Sequence, residues 1–154
     1  MHDSQLIVVR HGSYLRDEWS LPENERPLSE PGREEVGHVA SIIQRQLRSG
    51  ELVRIVSSPT VRAVQSADII GRAVGVSPAV LLLLNESPNS MRDYEEKIRE
   101  LATKLPPYST TIAVTHIFQV MDIVAVCGHP KPEEDQVQCS SAFLLADGMC
   151  IPLR

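Results

Sequence analysis

The chain has 154 residues and a formal net charge of −5, from 15 basic and 20 acidic residues. A chain of this length buries roughly 70% of the surface that it exposes when unfolded, so residues 1–154 can form one domain without disulfides or structural metals. The acidic balance provides no general positive field for nucleic acid or anionic membranes, and any positive site must be local. The three cysteines show no CxxC spacing, which disfavours a disulfide framework and a structural zinc site.

The N-terminal residues indicate a cellular location. Residues 1–5 are polar and acidic rather than basic, and the apolar run that follows is too short for an export signal or a membrane span. We therefore expect a cytoplasmic protein that contacts neither membranes nor nucleic acid.

The first predicted strand ends in charged and polar residues. The apolar run Leu6–Val9 is followed directly by Arg10, His11, Gly12 and Ser13. A short run rich in β-branched residues is typical of a strand that is buried on both faces, and open α/β sheets bind ligands at the C-terminal edge of such strands. The arginine, the histidine and the backbone freedom of the glycine, together with the serine hydroxyl, predict an anion site here.

A polar stretch and an amphipathic helix come next. Residues 14–28 show no clear period, and we expect either a rim over the anion site or a solvated connector. Ser29 is a good N-cap for a helix that ends near Gly50. Its apolar residues recur at helical spacing and predict a core face. They are Val36, Val39, Ala40, Ile43 and Leu47.

The second predicted strand, Arg54–Ser58, leads into a second helix that a Pro-Thr pair opens. Arg62 falls in the first turn of this helix, off the apolar stripe. A cation there opposes the helix dipole by roughly a few tenths of a kcal/mol, which is unusual unless an anion lies nearby. We expect the helix to fray at Gly71 and Gly75.

Residues 80–84 predict a third strand, and Glu86 lies just beyond its end. Ser90 is the expected N-cap of a third helix, which a Pro-Pro pair stops. Residues 111–116 then repeat the opening pattern, because an apolar strand again ends on a histidine, His116.

The C-terminal part predicts a helix and a hairpin. Residues 117–127 form an apolar helix that a glycine stops. Strands at 140–146 and 149–153, joined by the turn Asp147-Gly148, predict a closing antiparallel hairpin.

Alternating strands and helices predict an α/β fold: a three-layer, doubly wound sheet, mostly parallel, with a C-terminal antiparallel hairpin and helices on both faces. Because the ends of parallel strands meet at one edge, we expect a cluster of five residues there. These are Arg10, His11, Arg62, Glu86 and His116. Two guanidinium groups match phosphate oxygens, so a phosphoryl group is the natural occupant and a carboxylate a weaker one.

Such a cluster also predicts chemistry. One neutral imidazole can attack phosphorus while the other histidine donates a hydrogen bond to the phosphoryl oxygens. A carboxylic acid can protonate the leaving oxygen.

Four segments of the chain resemble, in order, the signatures of the histidine phosphatase superfamily, also called phosphoglycerate-mutase-like. They are Arg10–Gly12, Ser57–Ala67, Leu84–Glu86 and Val114–His116. The resemblance spans the chain, and each segment stands just beyond a predicted strand.

The resemblance implies a role for each matching residue. His11 would be the nucleophile that becomes phosphohistidine, and Glu86 would be the general acid. The phosphoryl group would be held by Arg10, Arg62 and His116, and Ser13 is a further candidate contact. No metal and no cofactor would take part.

Within the family, the short length, the Arg26–Ser29 segment leading to Gly32 and the terminal Cys139–Phe143 strand are similar to the small phosphohistidine phosphatases of phosphorelay proteins. Residues 87–90 replace the Gly- and Glu-containing extension of the sugar-phosphate mutases, which removes most of a lid. This arrangement favours a metal-independent phosphatase that acts on protein phosphohistidine or another phosphoprotein. In that branch the general acid is often dispensable, since the phosphoramidate bond is already labile.

Alternatives stay open at this point. A small-metabolite phosphatase or a mutase would use the same chemistry, and a non-catalytic module would bind phosphate without turnover. Glu86 fits a surface ion pair equally well. The other histidines, His2, His38 and His129, have no acidic or thiolate partners at ligand spacing, so we expect no metal site.

Overall fold

The computed structural model describes residues 4–85 and 91–154, which form one sheet covered by helices. The strands are β1 (Gln5–Arg10), β2 (Leu52–Ser57), β3 (Ala79–Val80), β4 (Ser109–Thr115), β5 (Ala142–Ala146) and β6 (Met149–Leu153). The α-helices are α1 (Glu30–Gln46), α2 (Val61–Val74), α3 (Met91–Thr103) and α4 (Ile117–Val126). The short 3-10 helices are Glu23–Glu25, Leu82–Leu84 and Glu134–Gln136.

The strand order is β3-β2-β4-β1-β5-β6. The pairs β3-β2, β2-β4 and β4-β1 are parallel, whereas β5 runs antiparallel to β1 and β6 antiparallel to β5. The predicted α/β fold with a closing antiparallel hairpin is therefore confirmed. No helix in the described part of the chain is both long and apolar enough to cross a bilayer.

Helices cover both faces of the sheet. Successive side chains of a strand point to opposite faces, so each strand contributes to two clusters. Ile7 and Val9 of β1 pack in one cluster with residues of α1 and α2. Leu6 and Val8 pack in a second cluster with residues of α3 and α4. The central strands β1 and β4 are thus buried on both faces, as continuous apolar runs require.

The third strand is shorter than its leucine run suggests. Only Ala79–Val80 pairs with β2, and Leu82–Leu84 turns into a 3-10 helix. Leu82 is 75% exposed, whereas Leu84 is fully buried in the α3–α4 cluster and its carbonyl accepts the Thr115 hydroxyl at 2.7 Å. Tertiary packing of Leu84 overrides the strand pattern at this edge of the sheet.

The expectation that α2 frays at Gly71 is also wrong. The helix passes through Gly71, where a Cβ would lie 2.5 Å from the Val76 carbonyl oxygen. It ends at Gly75, which adopts φ +77° and closes the helix as a left-handed C-cap. Gly71 therefore allows the chain that leaves the helix to pack closely against it.

Residues 14–28 form a closed loop that is bonded internally. Tyr14 and Leu28 pair as an isolated antiparallel bridge, and the Leu15 N–H donates to the Pro27 carbonyl at 2.9 Å. Arg26 is buried and donates to the Arg16 carbonyl at 2.8 Å. These contacts favour the rim interpretation over a solvated connector.

The start of α1 packs directly on the chain that follows β1. Ser29 caps the helix by accepting from the Gly32 N–H at 3.1 Å, as predicted. A Cβ at Gly32 would lie 1.9 Å from the Ser13 carbonyl oxygen, and one at Gly12 would lie 2.8 Å from the Gly32 carbonyl oxygen. Only glycine allows this backbone contact.

We expect Gly32→Ala to destabilise the fold by about 1–3 kcal/mol, because the added methyl group forces the backbone at Ser13 to move. Gly37→Ala is the matched control, since nothing lies within 4 Å of a Cβ there and alanine favours a helix interior. Urea denaturation of both variants checks the difference. Equal stability of the two variants would contradict the close contact.

Candidate active site

Three neighbouring strands end at one edge of the sheet, and backbone hydrogen bonds continue past them. The His11 N–H donates to the Thr115 carbonyl at 3.0 Å, and the Ser58 N–H donates to the Val114 carbonyl at 2.9 Å. His11, Ser58 and His116 thus follow β1, β2 and β4 side by side. The predicted convergence of His11 and His116 is what the structure shows, with ring centroids 5.1 Å apart.

Two different partners define the protonation of His11. Its Nδ1 lies 2.8 Å from the Gly12 carbonyl oxygen, which can only accept, so Nδ1 carries the proton. The Arg62 Nε donates to Nε2 at 3.3 Å, and a guanidinium can only donate, so Nε2 presents its lone pair. This is the neutral tautomer that a nucleophilic imidazole needs.

The surroundings of His11 also disfavour its charged form. Burial is the main cause that lowers its pKa from 6.5 to about 3, and electrostatic interactions with His116, Arg62 and Arg10 add to this effect. The hydrogen bond to Gly12 acts in the opposite direction but is outweighed. His11 is therefore neutral at physiological pH.

Arg62 is fully buried at the N-terminal turn of α2, on the helix face that packs inward. The sequence pattern had placed it off the apolar stripe, but its guanidinium lies in a polar part of the interior. Its Nη1 donates to the Glu23 backbone carbonyl at 2.8 Å, and the guanidinium lies 4.4 Å from the centre of the Tyr14 ring. Burial among these partners fixes the orientation of the arginine toward His11.

Arg10 is the last residue of β1 and directly precedes His11. Its Nη1 donates to the Val137 carbonyl at 2.8 Å, which orients the side chain. Its Nε is buried and has no hydrogen-bond partner among the described residues. A buried donor of this kind is suited to an anionic ligand, because an unpaired buried N–H is costly.

His116 is buried at the N-cap position of α4. Its Nε2 lies 2.8 Å from the Ser58 Oγ, and the same oxygen accepts from the Thr60 N–H at 3.4 Å. Ser58 therefore fixes the orientation of the His116 ring relative to the start of α2.

Tyr14 forms a wall of the cluster. Its ring meets His11 edge-on with centroids 5.5 Å apart, and its hydroxyl donates to the Glu23 Oε1 at 2.7 Å. Burial and that carboxylate raise the pKa of the Tyr14 hydroxyl above 10, so it remains a donor.

The sequence named two further candidates, Ser13 and Glu86. The Ser13 hydroxyl donates to Glu35 of α1, with distances of 2.9 and 3.0 Å to its two carboxylate oxygens, and is not directed at His11. Glu86 lies outside the described residues, although the chain just before it is anchored by the Gln119 side chain, which donates to the Asn85 carbonyl at 3.2 Å.

Sequence reasoning missed three residues that shape the site. Ser58 stood within a family-like segment but received no role, although its position after a strand was a usable signal. Tyr14 and Glu23 lie in an aperiodic loop where no spacing pattern marks them. Among residues 4–85 and 91–154, no three His, Cys, Asp or Glu side chains come together as a group that could hold a metal ion.

Several solved structures share this fold. The protein histidine phosphatase SixA complexed with tungstate superposes with a TM-score of 0.74 at 21% identity, covering 97% of this chain and 94% of that one. The product of the open reading frame Rv3214 from Mycobacterium tuberculosis gives 0.70 at 16% identity, covering 98% and 96%. A mycobacterial glucosyl-3-phosphoglycerate phosphatase gives 0.62 at 19% identity, covering 91% and 88%.

The sequence itself identifies the family. No curated protein matches it significantly. Residues 6–115, well over half of the chain, match the model of the histidine phosphatase superfamily, branch 1. The matched region carries Arg10, His11 and Arg62, and His116 follows it directly. The chain is therefore a member of the histidine phosphatase superfamily, branch 1.

Proposed function

We propose that this protein is a metal-independent phosphatase that hydrolyses a phosphoryl group through a phosphohistidine on His11. The observation that carries the proposal is the neutral His11, whose Nε2 lone pair faces the buried Arg62 guanidinium. A phosphoryl group bonded to Nε2 would have its oxygens within reach of this arginine. Family membership supports the same chemistry.

In the first step, the His11 Nε2 attacks phosphorus in line with the leaving atom. The N–P bond forms as the bond to the leaving atom breaks, and the leaving atom keeps the electron pair and takes up a proton from Glu86 in its proposed acid role or from water. Arg10, Arg62 and His116 stabilise the charge on the phosphoryl oxygens. The Gly12 carbonyl, 2.8 Å from Nδ1, stabilises the positive charge that the phosphorylated ring acquires.

In the second step, water attacks the phosphohistidine. The N–P bond breaks, its electron pair returns to Nε2, and inorganic phosphate leaves. His11 regains the neutral tautomer, because its Nδ1 has kept its proton throughout, hydrogen-bonded to the Gly12 carbonyl.

A phosphoryl group borne by a protein is the proposed substrate, as phosphohistidine or as another phosphoprotein. Only residues 85–90 separate Leu82–Leu84 from α3, which is a short connection compared with the extension of the sugar-phosphate mutases. The fold of the SixA protein histidine phosphatase, which this chain matches over nearly its full length, agrees with such a substrate. A short connection at this position favours access by a phosphoryl group that is attached to a large donor.

A small phosphorylated metabolite is the second candidate substrate class. The observation that favours it is the shared fold of a mycobacterial glucosyl-3-phosphoglycerate phosphatase. A phosphosugar panel and a phosphorylated histidine-containing domain, compared by kcat/KM, distinguish the two classes. A module that binds phosphate but turns over neither would show binding alone.

We expect His11→Ala to lower the hydrolysis of p-nitrophenyl phosphate by roughly three orders of magnitude or more, because the attacking atom is lost. The variant should also lack the acid-labile phosphoenzyme that the wild-type protein forms with a labelled donor. His38→Ala, on the exposed face of α1, is the matched control and should retain wild-type activity. Hydrolysis at the wild-type rate by His11→Ala would overturn the proposed nucleophile.

The protonation of His11 gives a prediction about pH. Because its pKa is lowered to about 3, the folded ring stays neutral as the pH falls from 6.5 toward 4, whereas the unfolded chain takes up a proton at about pH 6.5. The contribution of His11 to the free energy of unfolding therefore falls over this range. Nitrogen NMR of the ring should show no titration of His11 above pH 4, and a midpoint near 6.5 would contradict the buried neutral form.

The proposed acid role of Glu86 is tested by varying the leaving group. Alkyl phosphates need a proton on their leaving oxygen, whereas phosphohistidine is already labile. We expect Glu86→Gln to reduce kcat on alkyl phosphates more than on phosphohistidine. Small and equal effects on both classes would instead assign Glu86 a surface role.

A further inference from the structure

Glu23 forms the centre of a polar network beside the proposed phosphoryl site. Its Oε1 accepts from the Tyr14 hydroxyl at 2.7 Å and lies 3.8 Å from the Arg62 Nη2. Its Oε2 lies 2.5 Å from the Arg26 Nη1. Its backbone carbonyl accepts from the Arg62 Nη1 at 2.8 Å.

We infer that Glu23 is a specificity-determining residue, whose carboxylate competes with the substrate's phosphoryl group for the Arg62 guanidinium. The inference rests on the proposed function, because that function assigns Arg62 to the phosphoryl oxygens. No sequence pattern marks Glu23, and only the loop geometry brings it to Arg62.

The competition follows from charge and position. A carboxylate and a phosphoryl group are both anions that match guanidinium donors, so each weakens the binding of the other to one arginine. Arg62 is fully buried, whereas the Glu23 side chain is 47% exposed on a loop. The carboxylate is therefore the partner that yields when a phosphoryl group binds.

The Tyr14 and Arg26 contacts oppose this displacement. Both groups hold the carboxylate in place, so moving it costs hydrogen bonds and part of an ion pair. A small anion offers only its phosphoryl contacts to offset that cost. A large donor adds contacts with the rim, and binding energy from remote contacts can drive such a displacement.

The loop contains a natural reporter of this displacement. Trp19 is the single tryptophan of the chain, and the Arg26 guanidinium lies 4.8 Å from the centre of its ring. Arg26 in turn contacts the Glu23 carboxylate. Movement of Glu23 away from Arg62 changes the environment of Trp19, which fluorescence detects without any turnover.

The experiment is a titration of the intact protein with inorganic phosphate, followed by Trp19 fluorescence. We expect Glu23→Gln to bind phosphate about three- to tenfold more tightly than the wild type, because a nearby like charge is removed while the acceptor for Tyr14 remains. This gain should shrink at high salt, since screening weakens the repulsion. Glu25→Gln removes the same charge from the same short helix and should leave the affinity at the wild-type value.

A second comparison tests whether the gain acts through Arg62. In an Arg62→Ala background, Glu23→Gln should no longer increase the affinity for phosphate, because the group for which the two anions compete is absent. A purely structural role of Glu23 would instead give equal or weaker binding in Glu23→Gln, independent of salt. Either that result or an equal gain in the Arg62→Ala background would overturn the inference.

Substrate kinetics extend the test to specificity. Glu23→Gln should lower the KM for p-nitrophenyl phosphate more than the KM for a phosphorylated histidine-containing domain. Equal changes in both KM values would contradict the specificity role. If phosphate binding responds as expected but no donor forms a phosphoenzyme on His11, then the proposed catalysis fails while the competition at Arg62 stands.

Discussion

The contact between the Arg62 Nε and the His11 Nε2 is the interaction on which the candidate site depends. It places a permanent cation opposite the lone pair of a neutral imidazole, at 3.3 Å. Such a pair is stable because the protonated Nδ1 donates a hydrogen bond to the Gly12 carbonyl and burial disfavours a second proton on the ring. The proposed nucleophile and the proposed charge stabiliser are thus oriented together by the fold.

The rest of the architecture maintains this contact. Parallel pairing of β1 with β4 brings His11 beside His116, while the crossover from β2 through α2 delivers Arg62 from a helix start. The contact of Gly32 with the chain after His11 restricts the backbone next to the proposed nucleophile.

The loop of residues 14–28 adds a layer that the sheet does not determine. Through Tyr14 and Glu23 it supplies an aromatic wall and an internal carboxylate to Arg62. In the proposed chemistry Arg10, Arg62 and His116 hold the phosphoryl group, whereas the loop is proposed to adjust which anions reach them. On that proposal, substitutions in the loop change selectivity while the phosphoryl-holding residues stay intact.

The sequence by itself determined the layered α/β fold and predicted that Arg10, His11, Arg62 and His116 converge. Apolar runs that end in polar residues mark the ends of strands, and the ends of parallel strands lie at one edge of the sheet. Only the tertiary structure decided that residues 82–84 leave the sheet, since burial of Leu84 prevails over a strand pattern. It also decided the protonation of His11 and the place of Glu23. Both depend on partners that are distant in sequence. Local sequence spacing predicts neither the depth of burial nor the contact between Arg62 and Glu23, which are 39 residues apart.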